Sequence, residues 1–150
     1  MNVEMRKYEE DYAAGCQSEN ECHQLIEQFV GEPLKMTGSR YATFDYENET
    51  TLAELKTRKD TSSAKYPSAL VGSNKYTAGL VCDKDVYFFF RFSDGVFCYK
   101  QDSTDKFRTL KMGNVNRDRY TRKSECHLIP ISKLTFVGKI EAPQNIVRFD

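Results

Sequence analysis

The 150-residue sequence has no tryptophan, only two histidines and no long apolar run. With so few histidines, a nuclease or hydrolase built on a histidine triad is disfavoured. The first residues lack the apolar segment of a signal peptide, and no stretch approaches the roughly 20 apolar residues that a membrane helix needs. We therefore expect a soluble, intracellular protein of the cytoplasm or nucleus, without a membrane partner.

Cysteine pairs at C-x-x-C spacing are also absent, although the chain has five cysteines. The odd number and the spacing argue against a disulfide framework and a zinc ribbon, and they favour a reducing compartment. The dipeptides Cys22-His23 and Cys126-His127 could together supply four zinc ligands. Adjacent residues on a regular element point in different directions, so the sequence does not favour this zinc site.

The composition is that of one globular domain, which we expect to span residues 1–150. The net charge is zero, but residues 1–54 carry 12 acidic and 4 basic side chains, whereas residues 55–150 carry 10 acidic and 18 basic. An acidic cation site beside a basic surface for a polyanion would produce this division. Mutual neutralisation of the two halves inside the fold would produce it equally well.

Two carboxylates and a lysine come together in the predicted strand pair near residue 50. Asp45 lies towards the end of a predicted strand over residues 41–47, opposite the side chains that would face a core. In a strand over Thr51–Arg58, Glu54 and Lys56 share one face. Carboxylates held close together repel each other unless a cation lies between them, which favours a divalent metal site. The alternative is the charged solvent face of an ordinary hairpin.

A helix is predicted to begin at Ser18, where Ser18 and Glu21 match a capping box, and to end near Gly31. Glu21 lies at the margin of its apolar face. It could reach the metal site, or it could simply cap the helix.

Further strands and a helix are predicted between residues 68 and 100. A short strand near Ser68 precedes a helix that Ser73 would cap, with Lys75 and Tyr76 exposed towards a substrate. The segment VYFFFRF, residues 86–92, predicts a strand buried on both faces, and Asp-Gly then predicts a hairpin turn.

Residues 105–123 form a predicted basic loop rich in lysine, arginine, glycine and asparagine. Such a segment suits phosphate contacts, although it could also be an ordinary solvated loop. Closing strands are predicted after it.

The order of these elements resembles the PD-(D/E)xK nuclease superfamily. The resemblance covers residues 18–92 and implies an α/β (α+β) fold with a restriction-endonuclease-like αβββαβ core, over about residues 18–100, in which helices flank a mixed central sheet. Asp45 is preceded by Phe44 rather than by the proline of the motif, a departure that many members of the superfamily share. One combination is similar to small nucleases of large DNA viruses and phages, which implies a virus-encoded protein: FDYE…AELKTRK…YPSALVGSNKY…FFFRFSDG.

The resemblance implies a Mg²⁺-dependent (or Mn²⁺-dependent) deoxyribonuclease. Asp45 and Glu54 correspond to the metal-binding carboxylates, the carbonyl of Leu55 to a further ligand, and Lys56 to the lysine that assists the attacking water. The partner would be DNA, and nucleases that cut both strands often act as homodimers.

Glu21 corresponds to the first-helix glutamate, as a catalytic residue and metal ligand, with Glu19 as its rival. Six side chains would contact DNA: Arg58, Tyr66, Lys75, Tyr76, Arg117 and Arg119.

Two other functions fit the sequence. The same fold could be a non-catalytic nucleic-acid-binding or protein-interaction module, in which Lys56 merely pairs with Glu54 or Asp45. The chain could instead be a structural protein that assembles through VYFFFRF on an exposed sheet edge.

Overall fold

A computed structural model describes residues 3–38, 43–113 and 123–140 of the chain. The helices are α1 (Val3–Val30) and α2 (Ser73–Val81), with one 3₁₀ turn, Ile131–Lys133. The strands are β1 (Lys35–Met36), β2 (Tyr46–Glu47), β3 (Thr51–Arg58), β4 (Ser68–Gly72), β5 (Asp85–Phe92), β6 (Gly95–Lys100), β7 (Thr109–Gly113), β8 (Lys123–Pro130) and β9 (Thr135–Gly138). Neither helix is long and apolar enough to cross a membrane in the ranges described.

The central sheet has six strands in the order β1-β2-β3-β5-β6-β9. β3 and β5 run parallel, in register from Thr51 beside Asp85 to Arg58 beside Phe92. The other neighbours in this sheet are antiparallel. The general prediction of an α+β protein with a mixed central sheet is therefore confirmed.

The short strand β4 does not join the central sheet, contrary to the sequence prediction. It lies in a second, antiparallel sheet in the order β4-β8-β7. Both edges of β3 are occupied, by β2 on one side and β5 on the other, so no edge is left there for β4. Its backbone pairs instead with β8, where Leu70 lies opposite Leu128.

The central sheet is buried on both faces, and β5 contributes to both. Phe89 packs with Ile26 of α1 and Leu55 on one face, whereas Phe88 and Phe90 pack on the other face against α2 and the second sheet. The prediction of a central, doubly buried strand is confirmed. The hypothesis of assembly through an exposed VYFFFRF edge is wrong, because β3 and β6 occupy both edges of β5.

The β5–β6 hairpin follows the prediction from its Asp-Gly pair. β5 ends at Phe92, and β6 begins at Gly95, whose φ of 140° is a conformation that favours glycine. Asp94 accepts a hydrogen bond from the N–H of Ser63 (2.9 Å), so the turn also fixes the loop between β3 and β4.

Helix α1 extends well before the predicted start, so Ser18 is not its N-cap. Ser18 is fully buried in mid-helix, where a hydrogen bond of 2.7 Å joins its Oγ to Thr57 Oγ1. Arg91 Nη1 also donates to this oxygen, at 3.0 Å. The apparent capping box is thus a tertiary contact to β3 and β5. The predicted end is confirmed, because Gly31 follows the helix with a φ of 89°.

Helix α2 lies where the sequence predicted a helix, but it does not have the predicted cap. Gly72 occupies the N-cap position without a side-chain cap, and the Ser73 hydroxyl lies 2.8 Å from Nδ1 of His127. The ring of His127 stacks on Tyr76, on the α2 side of the sheet, whereas Cys22 is buried on the α1 side. The two Cys-His pairs therefore do not form a zinc site.

The described part of the predicted basic loop is not wholly a loop. Thr109–Gly113 forms β7, which pairs with β8 and brings Lys111 opposite Glu125. The loop residues 114–122, including Arg117 and Arg119, lie outside the described residues.

Candidate functional site

Asp45 lies one residue before β2, and three hydrogen bonds fix its position. Its N–H donates to the carbonyl of Ala53, and its own carbonyl accepts from the N–H of Thr37, both at 3.0 Å. Its Oδ2 accepts from the N–H of Leu55 at 2.8 Å. The Asp45 carboxylate is thereby attached to the backbone between Glu54 and Lys56.

The described backbone around Asp45 is less regular than predicted. Residues 43–45 form a bend, so the strand contains only Tyr46–Glu47 in this part of the chain. Phe44 packs into the α2-side core and Tyr46 into the α1-side core, rather than both on one side. The bend lets the Asp45 side chain turn back to the edge of β3.

Glu54 is a buried carboxylate, with 3% of its surface exposed. Its Oε2 lies 2.6 Å from Nζ of Lys75 on α2 and 3.8 Å from Nζ of Lys56. Its Oε1 is buried and has no hydrogen-bond partner in the described structure. A buried carboxylate oxygen without a donor is costly, so this atom is a natural ligand position for a cation.

The electrostatics of Glu54 and Glu19 show that both belong to one group with Asp45. Burial and then the negative charge of Asp45 raise the pKa of Glu54 to about 8, although Lys75 and Lys56 oppose the shift. Burial, the charge of Asp45 and a side-chain hydrogen bond with Asp45 raise the pKa of Glu19 to about 7. We call Glu19, Asp45 and Glu54 the acidic cluster.

Lys56 lies beside this cluster, and burial lowers the pKa of its amine below the usual lysine value, while the charge of Glu54 opposes the shift. Glu19, Glu54 and Lys56 therefore titrate in one partly buried environment. Such coupled groups are typical of functional sites, because each sets the protonation state of the next.

Glu21 does not lie in the acidic cluster. Its Oε1 is 2.8 Å from Nη1 of Arg91 and 3.7 Å from Nζ of Lys59. The hydrogen bond from Arg91 lowers the pKa of Glu21. The structure brings Glu19 to Asp45 instead. Glu19 and Glu21 cannot both face Asp45, because positions two residues apart on a helix differ by a rotation of about 200°.

The sequence held a signal for Glu19. It precedes Cys22 by three residues and Ile26 by seven, and both of those side chains are fully buried. Residues at these spacings share one helix face. The residues three, four and seven positions after Glu21 are Gln24, Leu25 and Gln28, and none of them is fully buried.

An open groove of about 850 Å³ leads to the acidic cluster. Its walls are α1 on one side and β4 with β8 on the other, and the end of β3 forms its floor. Glu19, Lys56, Arg58 and Lys59 all line it. Asp11 and Asp60 line it as well, so the groove carries three basic and three acidic side chains, and the basic ones come from the end of β3 and the turn after it.

The residues predicted to contact DNA have different environments. Arg58 is exposed and lines the groove, and Tyr66 is 58% exposed in the turn before β4. Lys75 pairs with Glu54. Tyr76 is only 3% exposed and stacks between Phe88 and His127, so the expectation of an exposed tyrosine is wrong.

No set of three or more histidine, cysteine, aspartate or glutamate side chains is already arranged as a metal site within the ranges described. Lys75 and Lys56 instead supply the positive charge next to Glu54. A cation at this position would therefore have to replace Lys75 at Oε2 or use the unpartnered Oε1. The donors fit a hard divalent cation, which prefers carboxylate and carbonyl oxygens.

Comparison of the chain with protein-family models, with curated proteins and with solved structures found no match. The functional argument therefore rests on the residues and geometry of the acidic cluster and the groove.

The acidic cluster predicts that the metal-free protein becomes less stable as the pH rises from about 5 to about 8. Glu54 and Glu19 release their protons near 4.5 in the unfolded chain but near 8 and 7 in the folded one. The folded state binds more protons in this window, so unfolding becomes more favourable with pH. The lowered pKa of Lys56 acts with the opposite sign, because it makes the folded state bind fewer protons than the unfolded chain.

The measurement is urea unfolding in EDTA between pH 5.5 and pH 8, with Glu54→Gln as the comparison. The stability of the wild type should fall across the range, and that of Glu54→Gln should fall less. A stability that stays level or rises over this range would show that these carboxyl groups are ionised in the metal-free fold.

Proposed function

We propose that this protein is a Mg²⁺-dependent or Mn²⁺-dependent nuclease of PD-(D/E)xK type that hydrolyses phosphodiester bonds in DNA. One observation carries the proposal. The Asp45 carboxylate accepts a hydrogen bond from Leu55, the residue between Glu54 and Lys56, so the separate aspartate and the E-x-K triplet meet in one cluster.

The order of the elements supports the same proposal. If β4 is set aside as part of the second sheet, α1, β1, β2, β3, α2 and β5 follow the order αβββαβ, with β3 and β5 parallel. The restriction-endonuclease-like core remains part of this proposal.

In this proposal, Asp45, Glu54 and the carbonyl of Leu55 hold the cation, and Glu19 takes the place predicted for Glu21. The bound cation supplies Lewis-acid stabilisation of the phosphate and lowers the pKa of water. The half-buried Lys56 amine donates to the attacking water or to the phosphate oxygens that gain charge. Glu19 lies against Asp45, where a carboxylate can accept or return a proton.

The groove suits a polyanion that approaches this cluster. Arg58 and Lys59 line it beside Lys56, and Tyr66 is exposed in the loop that precedes β4. Lysine and arginine bind the phosphates of a nucleic acid irrespective of sequence. Arg117 and Arg119 stay predicted DNA contacts outside the described residues, and a homodimer stays a prediction.

A non-catalytic nucleic-acid-binding module is the alternative, and one observation favours it. Lys75 and Lys56 already neutralise Glu54 without a metal ion. In that case the cluster would only stabilise the junction of α1, β3 and α2. The two functions differ in their dependence on a divalent cation.

The test uses labelled single-stranded, duplex and branched DNA with Mg²⁺, Mn²⁺ or EDTA. Wild-type protein should cleave at least one substrate only with a cation, and Glu54→Gln should be inactive. Glu47→Gln, on the exposed face of β2, is the matched control and should cleave normally. If no substrate is cut and the wild type and Glu54→Gln bind DNA equally, the binding module is the better account.

A further inference from the structure

A second cavity, of about 260 Å³, lies beside the β5–β6 hairpin. Lys59, Arg91 and Lys139 line it together with Ser93 and Gly95. The three basic residues come from three parts of the chain: the turn after β3, strand β5 and the segment after β9. We call this cavity the hairpin pocket.

Arg91 is held firmly at the hairpin pocket. Its side chain is only 12% exposed, and its Nη1 donates to Glu21 Oε1 (2.8 Å) and to Ser18 Oγ (3.0 Å). These two bonds use one end of the guanidinium, which has five N–H donors in a rigid fork. Nη1 is the only atom of this guanidinium that bonds to a described residue, and Arg91 lines the hairpin pocket.

Positive charge exceeds negative charge around the hairpin pocket. Glu21 lies against both Arg91 and Lys59, so one carboxylate serves two cations. Asp94 offsets part of the charge of Lys139 and also accepts hydrogen bonds from Ser63 at the hairpin turn. Three cations therefore share two carboxylates, and the exposed amines of Lys59 and Lys139 are accessible to an anion.

The hairpin pocket continues the groove of the acidic cluster, because Lys59 lines both. Lys59 is three residues beyond Lys56, and an extended chain covers about 3.3 Å per residue. The two residues are therefore about 10 Å apart along the floor of the groove. A nucleic-acid strand that lies in the groove therefore reaches the hairpin pocket within a few nucleotides of the acidic cluster.

We propose that the hairpin pocket binds a phosphate group of the nucleic-acid strand, a few nucleotides to one side of the acidic cluster. This inference rests on the proposed function, because that function places a nucleic acid in the groove. The ligand chemistry is an anionic phosphate, either a terminal monoester or an internal diester. A fixed guanidinium and two mobile amines suit both, since arginine binds phosphate through paired N–H groups and lysine binds as a point charge.

The test measures binding in EDTA, where no cleavage occurs, so it does not depend on catalysis. Fluorescence anisotropy would follow labelled single-stranded oligonucleotides with a 5′-phosphate, a 3′-phosphate or hydroxyl ends over a range of salt concentrations. The variants are Lys139→Gln and Lys59→Gln. Lys133→Gln is the control, because Lys133 is exposed, pairs with Asp105 and lines neither cavity.

Each pocket variant should weaken binding several-fold and reduce the slope of log K against log salt by about 0.7, the loss of one phosphate contact to a single strand. Lys133→Gln should bind as the wild type does. If only an oligonucleotide with a terminal phosphate shows the loss, the ligand is a monoester. An equal loss with hydroxyl ends identifies an internal diester.

Wild-type affinity and salt slope in both pocket variants would overturn the proposal. Failure of the nuclease proposal looks different, because the DNA would then stay intact with Mg²⁺ while the pocket variants still bound it more weakly. Arg91 is left unchanged in this test, since it also holds Ser18 and Glu21.

Discussion

Asp45→Asn should abolish DNA cleavage and, at the same time, stabilise the metal-free protein. Asparagine keeps an oxygen that can accept the hydrogen bond from Leu55, but it removes the charge that raises the pKa of Glu54 and Glu19. We expect cleavage to fall by at least about 10³-fold, as when an enzyme loses one electrostatic stabiliser of its transition state. At pH 8 in EDTA, the free energy of unfolding should rise by about 1–2 kcal/mol, since a like-charge contact disappears.

The measurements are cleavage rates with Mn²⁺ and urea unfolding in EDTA. Asp83→Asn is the matched control, because Asp83 is exposed in the turn before β5 and should change neither quantity. A variant that loses activity and stability together would indicate that Asp45 is needed chiefly for folding. A variant that keeps full activity would remove Asp45 from the site.

Lys75→Met should lower the free energy of unfolding of the metal-free protein, which is the opposite of the effect expected for Asp45→Asn. At pH 8.5, where Glu54 is largely ionised, the change removes the amine 2.6 Å from Oε2 and leaves a buried carboxylate with only the more distant Lys56. Because the pKa of Glu54 is about 8, this carboxyl group can take up a proton instead of staying charged, so the expected loss of stability at pH 8.5 is about 1 kcal/mol.

Mn²⁺ should restore much of this stability, because a cation on Glu54 replaces the missing positive charge. Thermal unfolding with Mn²⁺ and with EDTA measures the difference, and Lys35→Met on β1 serves as the exposed control. We expect the rise in melting temperature on adding Mn²⁺ to be larger for Lys75→Met than for the wild type. An equal loss of stability in both conditions would mean that no cation takes the place of the Lys75 amine.

The fold was predictable where a short stretch of sequence determines the structure. The apolar run of β5 and the Asp-Gly turn predicted a central strand and a hairpin, and both are observed. The placement of β4 depends on β8, where Leu70 meets Leu128, nearly sixty residues away. A pairing between such distant segments leaves no local pattern.

The strand residues of the site could be predicted, because side chains alternate between the two faces of a strand. The helix residue could not be predicted, because its position depends on the rotation of α1 about its own axis. Spacing alone put Glu54 and Lys56 on one face beside Asp45, and the structure brings these residues together. The choice between Glu19 and Glu21 depends on how α1 is turned on the sheet, which Ser18, Thr57 and Arg91 fix through tertiary hydrogen bonds.

Lys75 and Arg91 were misjudged for a similar reason. Lys75 was expected to face a substrate, but the middle of β3 brings Glu54 within reach of its amine. Arg91 follows three phenylalanines, so the pattern predicted only a residue of an apolar strand, although its guanidinium bonds to α1 and the residue lines the hairpin pocket.

The second sheet sets an order for the synthesis of this protein on the ribosome. The acidic cluster lies within residues 19–54, but one wall of its groove is β4, whose only strand partner in the described chain is β8. β8 ends at Pro130, so the groove is complete only after residue 130 has been translated. A nascent or prematurely terminated chain that stops before β8 carries every residue of the cluster without the wall that completes its groove.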